Sequence, residues 1–524
     1  MNRSNIKLLD LPTEILFIIL QRLDNMDALY SLFDVDTHRL NTVVQHKAFT
    51  TALNFVLLTS TDDILPVTDL ILDRFYMSIL PKIDHNITSL ILESQSMERI
   101  LRAADYPNLT KLKIYNFLDK IASSYFTDTS PFRRIFQEQI IDLSLVYKHG
   151  IDILAERLYR NGVHGHVLTF FKSLQDLSIT GLPSLLTLFD SPLTTCSSST
   201  LSKLCVFLNG FGECLALLDG RLAGLTTLIV ILDSTRLHSS TYNMDNLPNL
   251  KCFSLKCLCM SDEYDTQIVP LLRRMLNLQE LTLNIFIQNR FKLVDGTQIN
   301  NEIFIHMPLL QKFNFYIHTG SYRNDSIRLS SDEIRQTFAN IGYPHMDCIR
   351  YDLPHIARCH VFSLPFMFEN FEFLGNSFPS IVFGRVTHLS VYDKVPFEHE
   401  FFVRLARHFP SLKELSVINR MSQSNMSDQL NSQETQSFPP IEYPYLTSLS
   451  LVYANIDYVD QLLNQEKIVL PCLTKLEVDY DYLTSVTNNF TRDATRLNCA
   501  KVKELITEKS LVHSADFYVY FPLL

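Results

Sequence analysis

Tryptophan is absent from this chain, and glycine is scarce at 13 of 524 residues. So little glycine leaves no Gly-x-Gly-x-x-Gly fingerprint, no phosphate loop and no Gly-x-Ser-x-Gly elbow, so nucleotide-cradling and hydrolase chemistries lose their usual backbone. No apolar run approaches the roughly 18 residues needed to span a bilayer. The opening MNRSNIKLLDLPTEIL is broken by polar and charged residues and offers no small-residue cleavage site, so it does not read as a secretory signal. The ten cysteines follow no framework spacing; without an export signal they read as reduced, buried thiols. For the same reason the Asn-x-Ser/Thr triplets at Asn86, Asn108, Asn324, Asn425 and Asn489 read as chance matches. A net charge of −10, spread along the chain, disfavours broad nucleic-acid binding. An apolar content of 46% marks a folded chain, too long for one ordinary core.

What is present is a repeat. The pattern apolar-Pro-x-Leu-x-x-Leu/Phe-x-apolar occurs six times, beginning at Tyr106 (YPNLTKLKI), Leu247 (LPNLKCFSL), Met307 (MPLLQKFNF), Phe409 (FPSLKELSV), Tyr443 (YPYLTSLSL) and Leu470 (LPCLTKLEV). A looser core without the proline centres on Leu90, Leu112, Leu143, Leu177, Leu204, Leu228, Phe253, Leu281 and Phe313. It resumes at Leu389, Leu415, Leu449 and Leu476, and fades at Leu505, where Thr507 takes the last apolar place. Successive steps are 22, 31, 34, 27, 24, 25, 28 and 32, then 76, then 26, 34, 27 and 29. Alternation at the end of each unit predicts a strand with one buried face. The upstream proline stops a preceding helix. Helical periodicity fills the intervals, as at 97–104 (MERILRAA), 269–276 (VPLLRRML) and 398–408 (EHEFFVRLARH).

A strand, a turn and a helix in about 25–30 residues resemble one layer of a leucine-rich-repeat solenoid. That resemblance implies an α/β fold with parallel strands on the concave face and helices outside. The family's Asn or Cys after the last strand Leu is replaced here by Phe117, Leu182, Phe286 and Arg420, so no Asn ladder is available and irregular layers are expected. The 76-residue step, with its unknown repeat count between 316 and 385, hides one or two divergent layers or an insertion. The polar stretch 421–438 reads as a loop projecting from the array.

At the N-terminus, Pro12 suits the first position of a helix and Glu14 its first turn. Six apolar residues then follow in succession, Ile15 to Leu20. Leu16, Ile19, Leu20 and Leu23 form one stripe, while Ile15 and Ile18 lie outside it with Leu11. So short a segment cannot bury two stripes in its own core. The second stripe requires a partner or burial against the rest of the chain. The run LPTEILFIILQRLDNMDALYSLFDVDTHRL resembles the F-box at Leu11, Pro12, Glu14, Ile15, Leu16, Ile19, Leu23, Asp27, Leu29, Leu32 and Val35. The Trp that often follows the Val is missing. F-boxes are three-helix segments that dock on a Skp-type adaptor and, through it, a cullin of the SCF ubiquitin ligases. The resemblance implies docking through Leu11, Pro12, Glu14, Ile15, Ile18, Ile19 and Leu29. A plain capping helix for the array is the alternative reading of residues 11–23.

Candidate chemistry is thin. His399-Glu400 is not followed by a second His one turn on, because Val403 stands there. His164 and His166, flanking Gly165 in an expected loop, have no carboxylate or Cys cluster beside them. Cys252, Cys257 and Cys259 lack knuckle spacing. No catalytic residue, metal site or cofactor is therefore expected. The segment LEVDYDY, residues 476–482, alternates, which would set Glu477, Asp479 and Asp481 on one exposed strand face as a receptor for a basic target segment.

The domain expectation is an F-box at 7–47, a helical linker or cap at 48–84, and a leucine-rich-repeat-like solenoid at 85–524. The functional expectation is a non-enzymatic SCF substrate receptor, cytoplasmic or nuclear, that binds neither nucleic acid nor membrane and captures an unknown target protein. The alternative is a leucine-rich-repeat scaffold with a degenerate F-box and no ligase link.

Overall fold

The computed structural model describes residues 11–35, 38–59, 64–147, 163–181, 198–208, 210–220, 222–233, 247–290, 292–322, 329–353, 356–378, 381–423, 440–508 and 515–524. The fold is mixed α/β with a large, mostly parallel sheet. It divides into two units, Met1–Thr282 with Ile303–Lys312, and Leu283–Glu302 with Phe313–Leu524.

In the first unit, helices Thr13–Leu20, Asn25–Leu32, His38–Val44 and Lys47–Thr50 precede a run of strands. The strands Ala52–Asn54, Ser89–Glu93, Lys111–Phe117, Asp142–Tyr147, Asp176–Thr180, Lys203–Leu208, Thr227–Leu232 and Cys252–Ser261 stand side by side in chain order, each parallel to the next. Their register follows the sequence pattern. Leu53, Leu90, Leu112, Leu143, Leu177, Leu204, Leu228 and Phe253 lie in one row across the sheet, each at most 2% exposed. Burying such a side chain contributes about 1.5–3 kcal/mol, so this row is a continuous core. Leu53 has no match in the repeat because Thr50, itself buried, occupies the apolar place.

The parallel strands are tied to one another by the backbone. At each strand start one carbonyl accepts two successive N–H groups of the next layer. Thr88 O takes Thr110 N and Lys111 N (3.0 and 2.9 Å), Thr110 O takes Ile141 N and Asp142 N (2.8 and 3.1 Å), and Gln175 O takes Ser202 N and Lys203 N (2.8 and 3.0 Å). The same arrangement recurs in the second unit at Thr387, Lys413, Thr447 and Thr474. These strand-start donors thus find partners with no side chain involved. At the other end of its strand stands Phe117. It is buried, stacked on Phe126 at 6.1 Å and edge-on to Tyr147 at 5.4 Å.

The second unit resolves the long step. Its strands include Lys312–Tyr322 from Phe313 onward, Met346–Asp352 and Ile356–Ser363. The last is antiparallel to both of the others, with Tyr316 opposite Phe362 and Met346 opposite Ser363. Helix Ser331–Asn340 lies between them in the chain, started by a reciprocal capping box of Ser330 and Glu333. One further parallel layer follows at Asn370–Leu374. After it come His388–Tyr392, Glu414–Ile418, Ser448–Ser450, Lys475–Glu477 and Glu504–Ile506. Phe371, Leu389, Leu415, Leu449, Leu476 and Leu505 form a second row in register.

The intervals at Met97–Leu101, Val269–Arg273 and His399–His408 are helical, as their periodicity implies. Residues 48–84 are not only helical. They hold the first sheet strand, Ala52–Asn54, and an antiparallel pair, Val56–Leu58 with Ile64–Pro66. Leu182, Asn324, Asn425 and most of the polar stretch 421–438 lie outside the described residues.

Candidate functional site

The first helix starts one residue later than the proline suggests. Pro12 is extended (φ −53°, ψ 151°) and serves as the N-cap of Thr13–Leu20. Its carbonyl accepts Ile15 N and Leu16 N at 3.1 and 3.0 Å. Leu16 and Leu20, four residues apart and therefore on one face, are 0% and 2% exposed. Ile15, Ile18 and Ile19 remain 42%, 54% and 40% exposed, and Leu23 48%. The inner stripe is therefore narrower than the sequence suggests, because Ile19 and Leu23 belong to the open face. Glu14 and Pro12 are also exposed, and Leu11 is half-buried.

The helices behind that face hold it in place. The Asp24 carboxylate accepts Met26 N at 2.8 Å and caps Asn25–Leu32. That helix buries Met26, Ala28 and Leu29. Leu29 is 0% exposed; it is a core residue of the segment and not part of the docking face expected of it. Arg39, on the third helix, donates from Nη2 to Leu11 O at 2.6 Å and from Nε to Thr13 Oγ1 at 3.1 Å. Phe17 lies edge-on to His46 and Phe49 at 5.0 and 5.6 Å. Asn25 Nδ2 donates to Ala52 O at 3.2 Å, and Arg74 Nη2 donates to Phe33 O at 3.0 Å. Lys82 pairs with Asp34. The N-terminal helical segment is thus bonded both to the first sheet strand and to the helices at 69–83, so its open face has a fixed orientation on the first unit.

The acidic strand expected at 476–482 is broken up. The strand ends at Glu477, and Tyr480–Val486 is a helix. Asp479 is its N-cap, accepting Asp481 N and Tyr482 N at 2.8 and 3.2 Å. Glu477 accepts Ser450 Oγ at 2.7 Å, and Asp481 sits in the first turn of the helix. The alternation that suggested one strand continues only to Leu476 and Val478, which are buried. These carboxylates serve local structure and form no shared row.

Among the described residues, no group of three or more His, Cys, Asp or Glu side chains is placed to hold a metal ion. His399 Nδ1 pairs with Gln461 Nε2 at 2.9 Å. His164 and His166 lie in helix Val163–Phe170 and not in a loop. The described cysteines are free thiols, and burial pushes Cys214 up to about 12, which leaves it unreactive. Among the described residues no helix is long and apolar enough to cross a membrane. No family model matches this chain, and no curated protein matches it.

Proposed function

We propose that the chain is a non-catalytic substrate-recognition subunit of an SCF-type cullin–RING ubiquitin ligase. In this reading residues 7–47 are an F-box that docks on a Skp-type adaptor. The parallel layers form an irregular leucine-rich-repeat solenoid that holds the target protein. The observation that carries the reading is the two-sided first helix, with Leu16 and Leu20 filled in and Ile15, Ile18 and Ile19 left open. Covering the exposed half of each isoleucine is worth roughly 1 kcal/mol per side chain, enough for a cluster of apolar anchors to set affinity. Co-purification of a Skp-type adaptor and a cullin with the full chain tests it.

A second reading, a leucine-rich-repeat scaffold with a degenerate F-box, is favoured by the inward position of Leu29. Capture of another protein in the absence of adaptor and cullin supports that reading instead.

A further inference from the structure

In the second unit the guanidinium of Arg358 is held in place with no ion-pair partner among the described residues. Arg358 projects from strand Ile356–Ser363, opposite Gly320 on one neighbouring strand and Tyr351 on the other. Its guanidinium lies over the rings of Phe373 at 4.6 Å and Tyr392 at 5.0 Å. Two aromatic faces stabilise a cation through their ring quadrupoles. They also fix its plane, yet neither supplies a counter-charge.

Its remaining contact is a neutral one. Nη1 donates to His318 Nε2 at 3.4 Å, so that nitrogen carries no proton. Nε is buried, with no hydrogen-bond partner among the described residues. The carboxylates around it are engaged elsewhere: on the adjoining strand Asp347 pairs with Arg335 and Asp352 with Arg350. Glu372 accepts the Ser390 hydroxyl, and Asp393 accepts the backbone N–H groups of Asn376, Lys394 and Val395 at 2.8, 2.7 and 3.1 Å. Among the described residues no carboxylate forms an ion pair with Arg358.

Burying part of a guanidinium with no counter-ion costs free energy. Here that cost is met by packing which keeps the fork rigid. Rigidity and an unmatched charge are what bidentate recognition of a carboxylate or phosphate needs. Tyr392 packs against the unit's core, and Arg358 shares its strand face with buried His360 and Phe362 while staying partly exposed itself, so the clamp sits at the rim of that core. In the proposed function a target would reach the guanidinium at that rim.

The geometry points to Arg358, clamped by Phe373 and Tyr392, as the anchor for an anionic group on a bound peptide, a carboxylate or a phosphate. This assignment rests on the reading of the second unit as part of the target-binding region, but not on adaptor docking. The test uses the full chain and three fluorescein-labelled octapeptides: one of glutamates, one neutral with a single phosphoserine, and one of lysines. Anisotropy titrations at low and physiological salt compare wild type, Arg358→Gln, Glu372→Gln and Arg385→Gln, the last an exposed arginine elsewhere in the unit. At least one anionic peptide is expected to bind, about tenfold more weakly to Arg358→Gln and undiminished to Arg385→Gln; which one binds identifies carboxylate or phosphate. Glu372→Gln leaves the anchor in place and is expected to tighten anion binding, which keeps the test open should Arg358→Gln fail to fold. Binding of neither anionic peptide, preference for the lysine peptide, or equal losses in the two arginine variants overturns the assignment. An adaptor that fails to bind the same wild-type sample would overturn the ligase reading alone.

Discussion

His318 and His360 lie ring on ring, 4.2 Å between centroids and 5° between planes, directly opposite each other on antiparallel strands. Both are buried. Burial pushes His318 well below the usual imidazole range, with His360 and Arg358 adding to it, and takes His360 down to about 3. Around the pair stand Tyr316, whose hydroxyl meets His360 Nδ1 at 3.2 Å, and Arg358.

The sign of the acid response follows. In the unfolded chain both rings take up protons near pH 6.5, while the folded pair stays neutral. Between about 6.5 and 3 the unfolded state binds more protons, so stability from the neutral pair is complete above 6.5 and lost as pH falls. Urea midpoints at pH 7.5, 6.0 and 5.0 are expected to drop, with a slope of up to about 1.4 kcal/mol per pH unit for each histidine. His360→Phe should flatten that dependence. A wild-type midpoint independent of pH over this range would contradict the argument.

The leucine rows make a second prediction. Leu449 is 0% exposed and lies between Leu415 and Leu476. Leu449→Ala is expected to cost about 2–5 kcal/mol. Leu497→Ala, at a residue 62% exposed, should cost within about 0.5 kcal/mol. Denaturant titration of the two variants separates them.

The rows were legible because every layer buries the same strand positions, and a period of that kind survives divergence of everything between. Leu90 to Phe253 and Leu389 to Leu476 all fall in register. The layer at Phe371 lies within the 76-residue step, which the repeat reads only as one or two divergent layers or an insertion. It stands only 18 residues before Leu389, and its ladder is interrupted after Phe371, where Phe373 adopts φ 55°. The antiparallel strands at 346–363, in the same step, leave no trace in the repeat. Strand direction is set by long-range pairing, and a local period does not encode it. At the N-terminus the open face of Ile15 and Ile18 was readable from an apolar run too wide for one helix stripe. The inward turn of Leu29 depends on how three helices pack, and the pattern match could not supply that.

Asp479 illustrates the opposite error, a cap mistaken for a surface charge. Asp479→Ala removes the acceptor for two helix N–H groups and is expected to cost about 0.5–2 kcal/mol. Asp479→Asn should retain most of that stability, because the amide oxygen still accepts. Thermal melts of both variants check it; equal losses would assign the effect to charge and not to capping.

The most direct test of the ligase reading is the affinity of the full chain for a purified Skp-type adaptor. It is measured for wild type, for an Ile15→Asp/Ile18→Asp double variant, and for Val395→Asp, at a residue 60% exposed in the other unit. The account expects wild type and Val395→Asp to bind alike, and the double variant to bind at least about a hundredfold more weakly, with an unchanged melting temperature. Adaptor binding that survives the double variant, or no binding by the wild-type chain, would contradict it.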